Sequence, residues 1–305
     1  MLKRVFALLF CAALLCGCAN AEVVPLEPDE LAPAPLESGY TSPTHYEDPS
    51  ITVDTYPGNR IHDTNYIYAV IKVADGSQIR TAMAYKYNSS YTVVGQVMAE
   101  ANNAVLAING DYFSFYDYGF LVRQGHQYRY RPNYYWDLLI IDQYGDLHAI
   151  TRPTGDRIQA WIESHPDLAV MNTFNFGPAM IIDGEWTQEV FSDDNLLNYG
   201  SISGASHYAR VALCQLAPLT YMVVACESMY DEGSAGMTLN EFCDCLREID
   251  EKLEDYDIQV AYNLDGGGSA TMVFHNEKIY SLYYPKTRTL SDIIYFASAW
   301  REGVN

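Results

Sequence analysis

Residues 262–272 read YNLDGGGSATM, and this stretch carries the strongest structural signal in the chain. A β-rich strand runs directly into three consecutive glycines, which permit positive φ angles and a close approach of the backbone. Successive N–H groups in such a corner can converge on an anion. Asn263 and Asp265 lie two residues apart, so in an extended chain they face the same side. The segment is neither a Walker loop nor a dinucleotide fingerprint, because it lacks Gly-Lys-Ser/Thr and G-x-G-x-x-G.

A similar arrangement occurs at residues 107–113, which read AINGDYF. A strand again ends in an asparagine and a carboxylate two residues apart, here Asn109 and Asp111, with a glycine between them. An Asn-Gly-Asp turn held by its own side chains would explain this segment by itself. Because the same arrangement follows two separate strands, we favour one site to which both strand ends contribute.

Short runs rich in β-branched and aromatic residues, bounded by Gly, Asp or Asn, surround these two segments. They predict strands over residues 66–73, 79–84, 104–109, 138–142, 179–182, 208–216, 220–227, 258–264, 271–275 and 293–299. Helices are predicted over residues 92–102 and 238–253, and the second opens with the capping box Thr238-x-x-Glu241. Two helices among many strands predict an α+β fold, in which a few helices pack on one large mixed β-sheet.

The N-terminus has the pattern of an export signal. Lys3 and Arg4 precede an apolar run that is too short to cross a bilayer, and the run ends in Leu15-Cys16-Gly17-Cys18. This ending resembles a bacterial lipobox, in which the final cysteine becomes lipidated; an ordinary cleaved secretory signal is the alternative. We expect residues 1–17 to be a signal peptide and Cys18 to anchor an exported lipoprotein to the membrane, at the cell surface or in the periplasm.

Residues 18–59 are rich in proline and acidic side chains, and residues 19–59 contain no Lys or Arg. Proline blocks regular strand pairing and like charges repel, so this composition predicts an extended tether. Residues 60–305 then form one globular domain, because neither an internal repeat nor a second linker interrupts them.

The charge balance limits the choice of partners. The 305 residues include 18 basic and 39 acidic side chains, for a formal net charge of −21. Nucleic acids and anionic lipid surfaces bind basic faces, so neither nucleic acid nor electrostatic membrane docking is expected. In a chain this poor in bases, Arg210 and Arg288 stand out next to predicted strands, and an arginine fork suits phosphate or carboxylate. For each, a structural partnership with one of the many acids is the alternative.

The residue types that bind metals do not form a recognisable ligand set. The seven histidines are scattered and no C-x2-C pair is present, so no cofactor is predicted, and a role for a divalent metal stays open. Four cysteines belong to the domain, and we favour buried free thiols over disulfides for them. They are Cys214, Cys226, Cys243 and Cys245.

Taken in chain order, these segments resemble the phosphodiester glycosidase family. The matching residues are Asn109–Phe113, Gly177-Pro178, Arg210, Gly236–Leu239, Asn263–Met272 and Arg288. The resemblance covers roughly residues 66–300. Two positions depart from the family pattern: Ala209 stands where proline is common, and Ala270 stands where a second serine is common. Neither departure removes a charged group.

The resemblance implies hydrolysis of the glycosidic bond of a sugar-1-phosphodiester, so the expected partner is a carbohydrate-phosphate substrate. Asp265 and Asp111 would be the catalytic carboxylates. Other residues would bind the substrate. Arginines and the glycine loop would contact the phosphate, and amide or hydroxyl side chains would lie near the sugar. They are Arg210, Arg288, Gly266, Gly267, Gly268, Ser269, Thr271, Asn109 and Asn263.

Two other classes of function compete with this hypothesis. The 26 tyrosines, clustered in residues 112–118 and 128–135, could stack on sugar rings in a non-catalytic surface module that binds glycan or phosphoglycan. Ordinary strand and rim packing also explains tyrosines in such places. A metal-dependent phosphodiesterase would cut the P–O bond instead, but it would need a dinuclear His/Asp ligand set that the sequence does not show.

Overall fold

The structure is a computed structural model that describes residues 21–87, 89–187, 204–228, 234–279 and 288–303. The predicted signal peptide over residues 1–17 and the lipidated Cys18 lie outside the described residues. Within them, no helix is long and apolar enough to cross a membrane.

Strands and helices are numbered here in chain order. The first strands are β1 (Glu22–Val23), β2 (Tyr40–Ser42), β3 (His45–Asp48), β4 (Ile51–Ile61), β5 (Thr64–Val73), β6 (Ile79–Met83), β7 (Ala104–Asn109), β8 (Gly119–Arg123), β9 (His126–Arg131), β10 (Asp137–Asp142) and β11 (Leu147–Ile150). The later strands are β12 (Val170–Phe176), β13 (Ala179–Ile182), β14 (Glu185–Trp186), β15 (Arg210–Ala217), β16 (Thr220–Cys226), β17 (Val260–Leu264), β18 (Met272–Phe274), β19 (Glu277–Lys278), β20 (Asp292–Ala297) and β21 (Trp300–Arg301). The α-helices are α1 (Gly95–Ala101), α2 (Gly155–Ser164) and α3 (Leu239–Asp250).

Two antiparallel sheets share the main hydrophobic core. The larger has the strand order β14-β13-β17-β15-β16-β5-β4-β3-β2, and the smaller has the order β19-β18-β7-β20-β6. Alternate residues of the central strands meet in this core, among them the fully buried Leu213 of β15 and Ile108 of β7. The α+β class is confirmed. The strand pairs among the described residues are antiparallel throughout, whereas the sequence analysis expected mixed directions.

Smaller sheets and the helices cover the remaining faces. A three-stranded sheet has the order β11-β10-β12, and two-stranded sheets pair β8 with β9 and β1 with β21. Helix α3 packs on the larger sheet through Phe242, Leu246 and Ile249, which are completely buried. It opens with the predicted capping box, in which Thr238 and Glu241 each accept the other's backbone N–H. Helix α1 packs on the smaller sheet.

The predicted tether is wrong for the part of it that the structure describes. Strands β2, β3 and β4 continue the larger sheet, and their side chains Tyr46 and Val53 are fully buried in the main core. Farther upstream, the buried guanidinium of Arg80 donates to three carbonyl groups of residues 27–30, at 2.9–3.0 Å. The alternation of apolar side chains in β3 and β4 therefore outweighs the composition of the segment. The domain begins before residue 60.

The predicted strands and helices all occur, with ends that shift by a few residues. Helix α2 and strands β8, β9, β11 and β12 were not predicted. Helix α2 is short and polar, and Ile158 is its one fully buried residue within the described chain. The four cysteines of the domain are buried free thiols, as favoured from the sequence.

Candidate active site

The ends of β7 and β17 lie side by side, and the asparagine that closes β7 holds them together. The Nδ2 of Asn109 donates to the carbonyl of Asp265 at 2.7 Å, and its Oδ1 accepts the N–H of Thr271 at 3.0 Å. The two strand ends therefore meet, as the repeated sequence arrangement suggested. Asn109 itself is 1% exposed, so it fixes the backbone of the glycine loop and does not face a substrate.

The glycine run is required by close packing against the start of β15. A Cβ at Gly266 would lie 2.3 Å from the carbonyl oxygen of Ala209, which is too close for any side chain. Gly267 has a φ of 55° and donates its N–H to the same carbonyl at 2.8 Å. The corner predicted after β17 thus forms, and it brings the loop directly against the neighbouring strand.

Most N–H groups of this loop already have partners within the protein. Gly266 donates to Oδ1 of Asp265 at 2.9 Å, and Ser269 donates to the carbonyl of Gly266 at 3.0 Å. Together with the contact of Gly267, these bonds occupy three of the four N–H groups that were predicted to bind phosphate. Within the described residues, Gly268 is the member of the run whose N–H has no such partner.

Asp265 is the carboxylate that reaches the surface of the site. It is partly exposed, and burial raises its pKa to about 6. A hydrogen bond from Ser269, the charge of Arg288 and the N–H of Gly266 oppose this rise, whereas the negative charge of Asp111 adds to it. Asp265 is consequently ionised for the most part at neutral pH and close enough to its pKa to change state in mildly acidic solution.

Arg288 and Tyr112 flank this carboxylate. Arg288 is exposed; its Nη1 lies 3.4 Å from Oγ of Ser269, and its backbone N–H donates to the carbonyl of Gly268 at 3.2 Å. The guanidinium carbon lies 5.6 Å from the centre of the Tyr112 ring. Tyr112 has a left-handed backbone with a φ of 67°, which turns the chain sharply after β7. An accessible cation therefore stands next to Asp265, as predicted for Arg288.

A buried cluster of charges lies behind the site. Arg123, at the end of β8, donates through Nη2 to Asp111 at 2.9 Å and to Asp292 at 2.7 Å. All three side chains are 1–2% exposed. Burial raises the pKa of Asp292, Arg123 opposes the rise, and the nearby charge of Asp111 adds to it. We name these three residues the buried charge cluster. Sequence reasoning missed Arg123 and Asp292, although a lone arginine that ends an apolar strand is a signal that could have been used.

The structure does not support the prediction that Asp111 is a second catalytic carboxylate. Its Oδ1 accepts from Arg123, and its Oδ2 accepts the backbone N–H of Asn175 at 2.7 Å. Both oxygens are thus engaged away from solvent. Asp111 instead connects the turn after β7 with the end of β12. The residue before Asp111 must be glycine, because a Cβ at Gly110 would lie 2.3 Å from the carboxylate of Asp292.

The guanidinium of Arg210 has backbone partners outside the glycine loop. Its guanidinium is 4% exposed and donates to the carbonyls of Met237 and Ser206, at 3.0 and 2.8 Å. Burial lowers its pKa. These contacts tie the entry of β15 to the segment before α3.

Two other predicted ligands are buried, and each has a side-chain oxygen without a hydrogen-bond partner among the described residues. Asn263 is completely buried and donates through Nδ2 to the carbonyl of Gly177 at 2.7 Å. Thr271 is 1% exposed, and its N–H is bound by the side chain of Asn109. Ser269 is fully buried too, and its side chain donates to Asp265. Of the predicted set, the structure leaves Asp265, Arg288 and the glycine turn accessible.

The sequence of residues 102–297 matches the phosphodiester glycosidase family. The chain belongs to this family. No curated protein sequence matches the chain significantly. Among solved structures, the catalytic domain of the zebrafish N-acetylglucosamine-1-phosphodiester alpha-N-acetylglucosaminidase, auto-inhibited by its pro-peptide, is similar at 16% identity and a TM-score of 0.60. The match covers 88% of this chain and 87% of the zebrafish chain.

Two bacterial structures share the fold of this chain. A hypothetical protein from Synechocystis is 14% identical with a TM-score of 0.52, and the match covers 85% of this chain and 64% of that one. A candidate exported protein from Burkholderia pseudomallei K96243 is 13% identical with a TM-score of 0.50, and the match covers 77% and 74% of the two chains.

In the part of the chain that the structure describes, no group of three or more His, Cys, Asp or Glu side chains is arranged to hold a metal ion.

Proposed function

We propose that this phosphodiester glycosidase hydrolyses the bond between the anomeric carbon of a sugar and the oxygen of a phosphodiester. The products are a free sugar and a phosphate monoester. The observation that carries the proposal is the pair formed by the accessible carboxylate of Asp265 and the accessible guanidinium of Arg288, both anchored on the glycine turn. A carboxylate suits the positive charge that develops at the anomeric carbon, and a guanidinium suits the departing phosphate.

One accessible carboxylate is sufficient for this reaction. A phosphate monoester leaves as a stable anion, so it does not need the strong general acid that an ordinary glycosidase supplies to its leaving group. Ionised Asp265 stabilises the oxocarbenium-like centre while water attacks. Arg288 and the free N–H of Gly268 hold the phosphate oxygens. The buried charge cluster affects the reaction through Asp265, because the negative charge of Asp111 raises the pKa of Asp265.

The proposal is tested with methyl α-N-acetylglucosamine-1-phosphate, which has the type of bond that the name of the zebrafish enzyme specifies, and with matched diesters of other sugars. We expect free sugar and methyl phosphate in equal amounts. Asp265→Asn should abolish the release of sugar, whereas Asp63→Asn, at a fully accessible carboxylate, should retain it. A protein that binds these diesters without releasing sugar would be a glycan-binding module, and an active Asp265→Asn variant would remove Asp265 from the mechanism.

We also propose that the protein is exported and anchored through lipidated Cys18, on the lipobox-like sequence alone. Strand β1 begins at Glu22, so the anchor would hold the domain close to the membrane rather than at the end of a long tether. Replacement of Cys18 by serine should release the protein from the membrane fraction. Retention of the Cys18→Ser protein in that fraction would contradict the anchor.

A further inference from the structure

The segment that leads into β15 forms one wall of the glycine turn, and it carries an exposed aromatic ring. The carbonyl of Ala209 accepts the N–H of Gly267 at 2.8 Å, so the segment lies directly against the turn. The residue before it, Tyr208, is 41% exposed. Its Cδ1 lies 3.9 Å from the position that a Cβ would take on Gly267. The ring therefore stands beside the turn that follows Asp265, and the proposed reaction does not yet use it.

The backbone of Tyr208 is fixed by a β-bridge to the segment before α3. Tyr208 donates its N–H to the carbonyl of Met237 at 3.2 Å, and Met237 donates to the carbonyl of Tyr208 at 2.9 Å. Gly236 has a φ of 84°, and a Cβ there would lie 2.9 Å from the backbone of Tyr208. Because the backbone is held this closely, a ligand that contacts the ring has only two side-chain torsions to order, and the entropic cost of binding is small.

The guanidinium of Arg210 supports this ring from one side. Its central carbon lies 5.7 Å from the centre of the Tyr208 ring, a cation–π distance. Arg210 is 4% exposed, and the carbonyls of Met237 and Ser206 hold it in place. Since the cation covers one face, the exposed part of the ring belongs to the other face and the edge. An open tyrosine face, apolar with a polar hydroxyl at its tip, suits the C–H face of a sugar ring.

Three accessible groups thus follow one another along the glycine turn. Asp265 opens the turn, Tyr208 lies beside Gly267, and Arg288 donates its backbone N–H to the carbonyl of Gly268. The chain from Asp265 to Gly268 spans at most about 11 Å, so all three groups can contact one sugar phosphate. A substrate with its phosphate at Arg288 and its anomeric carbon at Asp265 has its sugar ring within reach of Tyr208.

We propose that Tyr208 is the platform on which the cleaved sugar stacks, and that Arg210 is the residue that positions its ring. The inference rests on the proposed function and adds a specificity-determining residue to it. Contact with the leaving group, beyond the phosphate, is the competing role for Tyr208. The order along the turn favours the sugar, because Gly267 lies between Asp265 and the residue that Arg288 contacts.

The kinetic test uses methyl α-N-acetylglucosamine-1-phosphate, whose methyl leaving group is too small to stack on a ring. Tyr208→Ala should raise KM by about tenfold and leave kcat within about twofold, because stacking acts equally in the ground state and the transition state. Tyr208→Phe keeps the ring and should keep the wild-type KM. Tyr144→Ala, which removes a 60% exposed ring from the turn after β10, is the matched control and should also keep it. A Phe variant as weak as the Ala variant would overturn stacking.

Two competitive inhibitors separate contact with the sugar from contact with the phosphate. Dimethyl phosphate has no sugar, so Tyr208→Ala should leave its inhibition constant unchanged and Arg288→Ala should raise it. Free N-acetylglucosamine has no phosphate, and Tyr208→Ala should weaken its inhibition by about tenfold. Equal weakening of both inhibitors by Tyr208→Ala would mean that the whole turn is disturbed, and it would overturn the assignment of Tyr208 to the sugar.

Binding provides a readout that does not depend on turnover. In calorimetric titrations of the Asp265→Asn protein with the methyl diester, adding Tyr208→Ala should weaken binding by about tenfold. If the wild-type protein hydrolyses no diester while this difference persists, the proposed function fails and the sugar platform stands. If diesters are hydrolysed and Tyr208→Ala keeps the wild-type KM, the platform is overturned and the proposed function stands. Absence of both hydrolysis and binding would overturn both.

Discussion

Replacement of Asp265 by asparagine should stabilise the protein while it abolishes activity. Burial raises the pKa of this carboxyl from 3.8 to about 6, so its ionised form is disfavoured in the folded state. Each pH unit of difference corresponds to about 1.4 kcal/mol, which gives about 3 kcal/mol for the ionised side chain. The amide keeps an oxygen for the N–H of Gly266 but changes the bond with Ser269, which costs about 1 kcal/mol. A net gain of about 2 kcal/mol in the free energy of unfolding follows.

The pH dependence of this gain tests the reasoning. Because the folded-state pKa is raised, the wild-type protein loses stability relative to the variant as the pH rises from about 4 to about 6. Urea denaturation should therefore show the variant about 1 kcal/mol less stable than wild type below pH 4, a difference that reverses sign as the pH rises to 6, and a constant gain of about 2 kcal/mol above. Asp63→Asn, at a side chain that is 96% exposed, is the matched control. A variant that is no more stable than wild type at pH 8 would refute the burial argument.

Four further results are expected. In steady-state kinetics, kcat/KM should rise about tenfold per pH unit up to pH 6, because Asp265 must be ionised and its pKa is about 6. Above that pH it should level off, because no general acid is needed. A flat profile from pH 5 to 8 would contradict this. Arg288→Ala should lower kcat/KM by about 100-fold, and unchanged kinetics would remove it as the phosphate ligand. Arg123→Leu should cost about 3–5 kcal/mol in urea unfolding at pH 8 and less in acid, where Asp292, whose pKa is raised by burial, takes up a proton. Gly110→Ala should lower stability by about 1–3 kcal/mol through overlap with a carboxylate, whereas Gly155→Ala, whose Cβ has its nearest neighbours at 3.9 Å, should not.

The corner after β17 could be predicted because its cause is local. Three consecutive glycines after a β-rich run indicate a close approach of backbones, and the contact of Gly266 with Ala209 is that approach. The capping box of Thr238 and Glu241 is local in the same way, and the structure has it as predicted. Sequence patterns of this kind depend on neighbours within a few residues, so they can be recognised without knowledge of the fold.

The roles of the arginines could not be predicted, because they depend on which strand ends meet. Arg210 begins a strand and Arg288 precedes one, yet the first is buried beside the segment before α3 and the second is exposed beside Asp265. Arg123 ends an apolar strand, and its partners Asp111 and Asp292 are 12 and 169 residues away. The charge of an arginine does not show whether it binds a ligand or forms a buried ion pair. That depends on which side chains the register of the strands places next to it.

The error over the tether has a different cause. Composition suggested a spacer, because residues 18–59 are rich in acids and prolines and contain no Lys or Arg. Within that stretch, however, Tyr46, Ile51 and Val53 alternate with polar residues and pair with β5 through β4. Alternation over a few residues is a stronger indicator of a strand than the average composition of the segment.

The central claim, cleavage at the anomeric carbon, is tested most directly by isotope incorporation. Hydrolysis of methyl α-N-acetylglucosamine-1-phosphate in water enriched in oxygen-18 labels whichever product receives the solvent oxygen, and mass spectrometry reads the label. We predict oxygen-18 at the anomeric position of the free sugar and none in methyl phosphate. Label in a phosphate product would mean that the P–O bond is cut, and it would contradict the account.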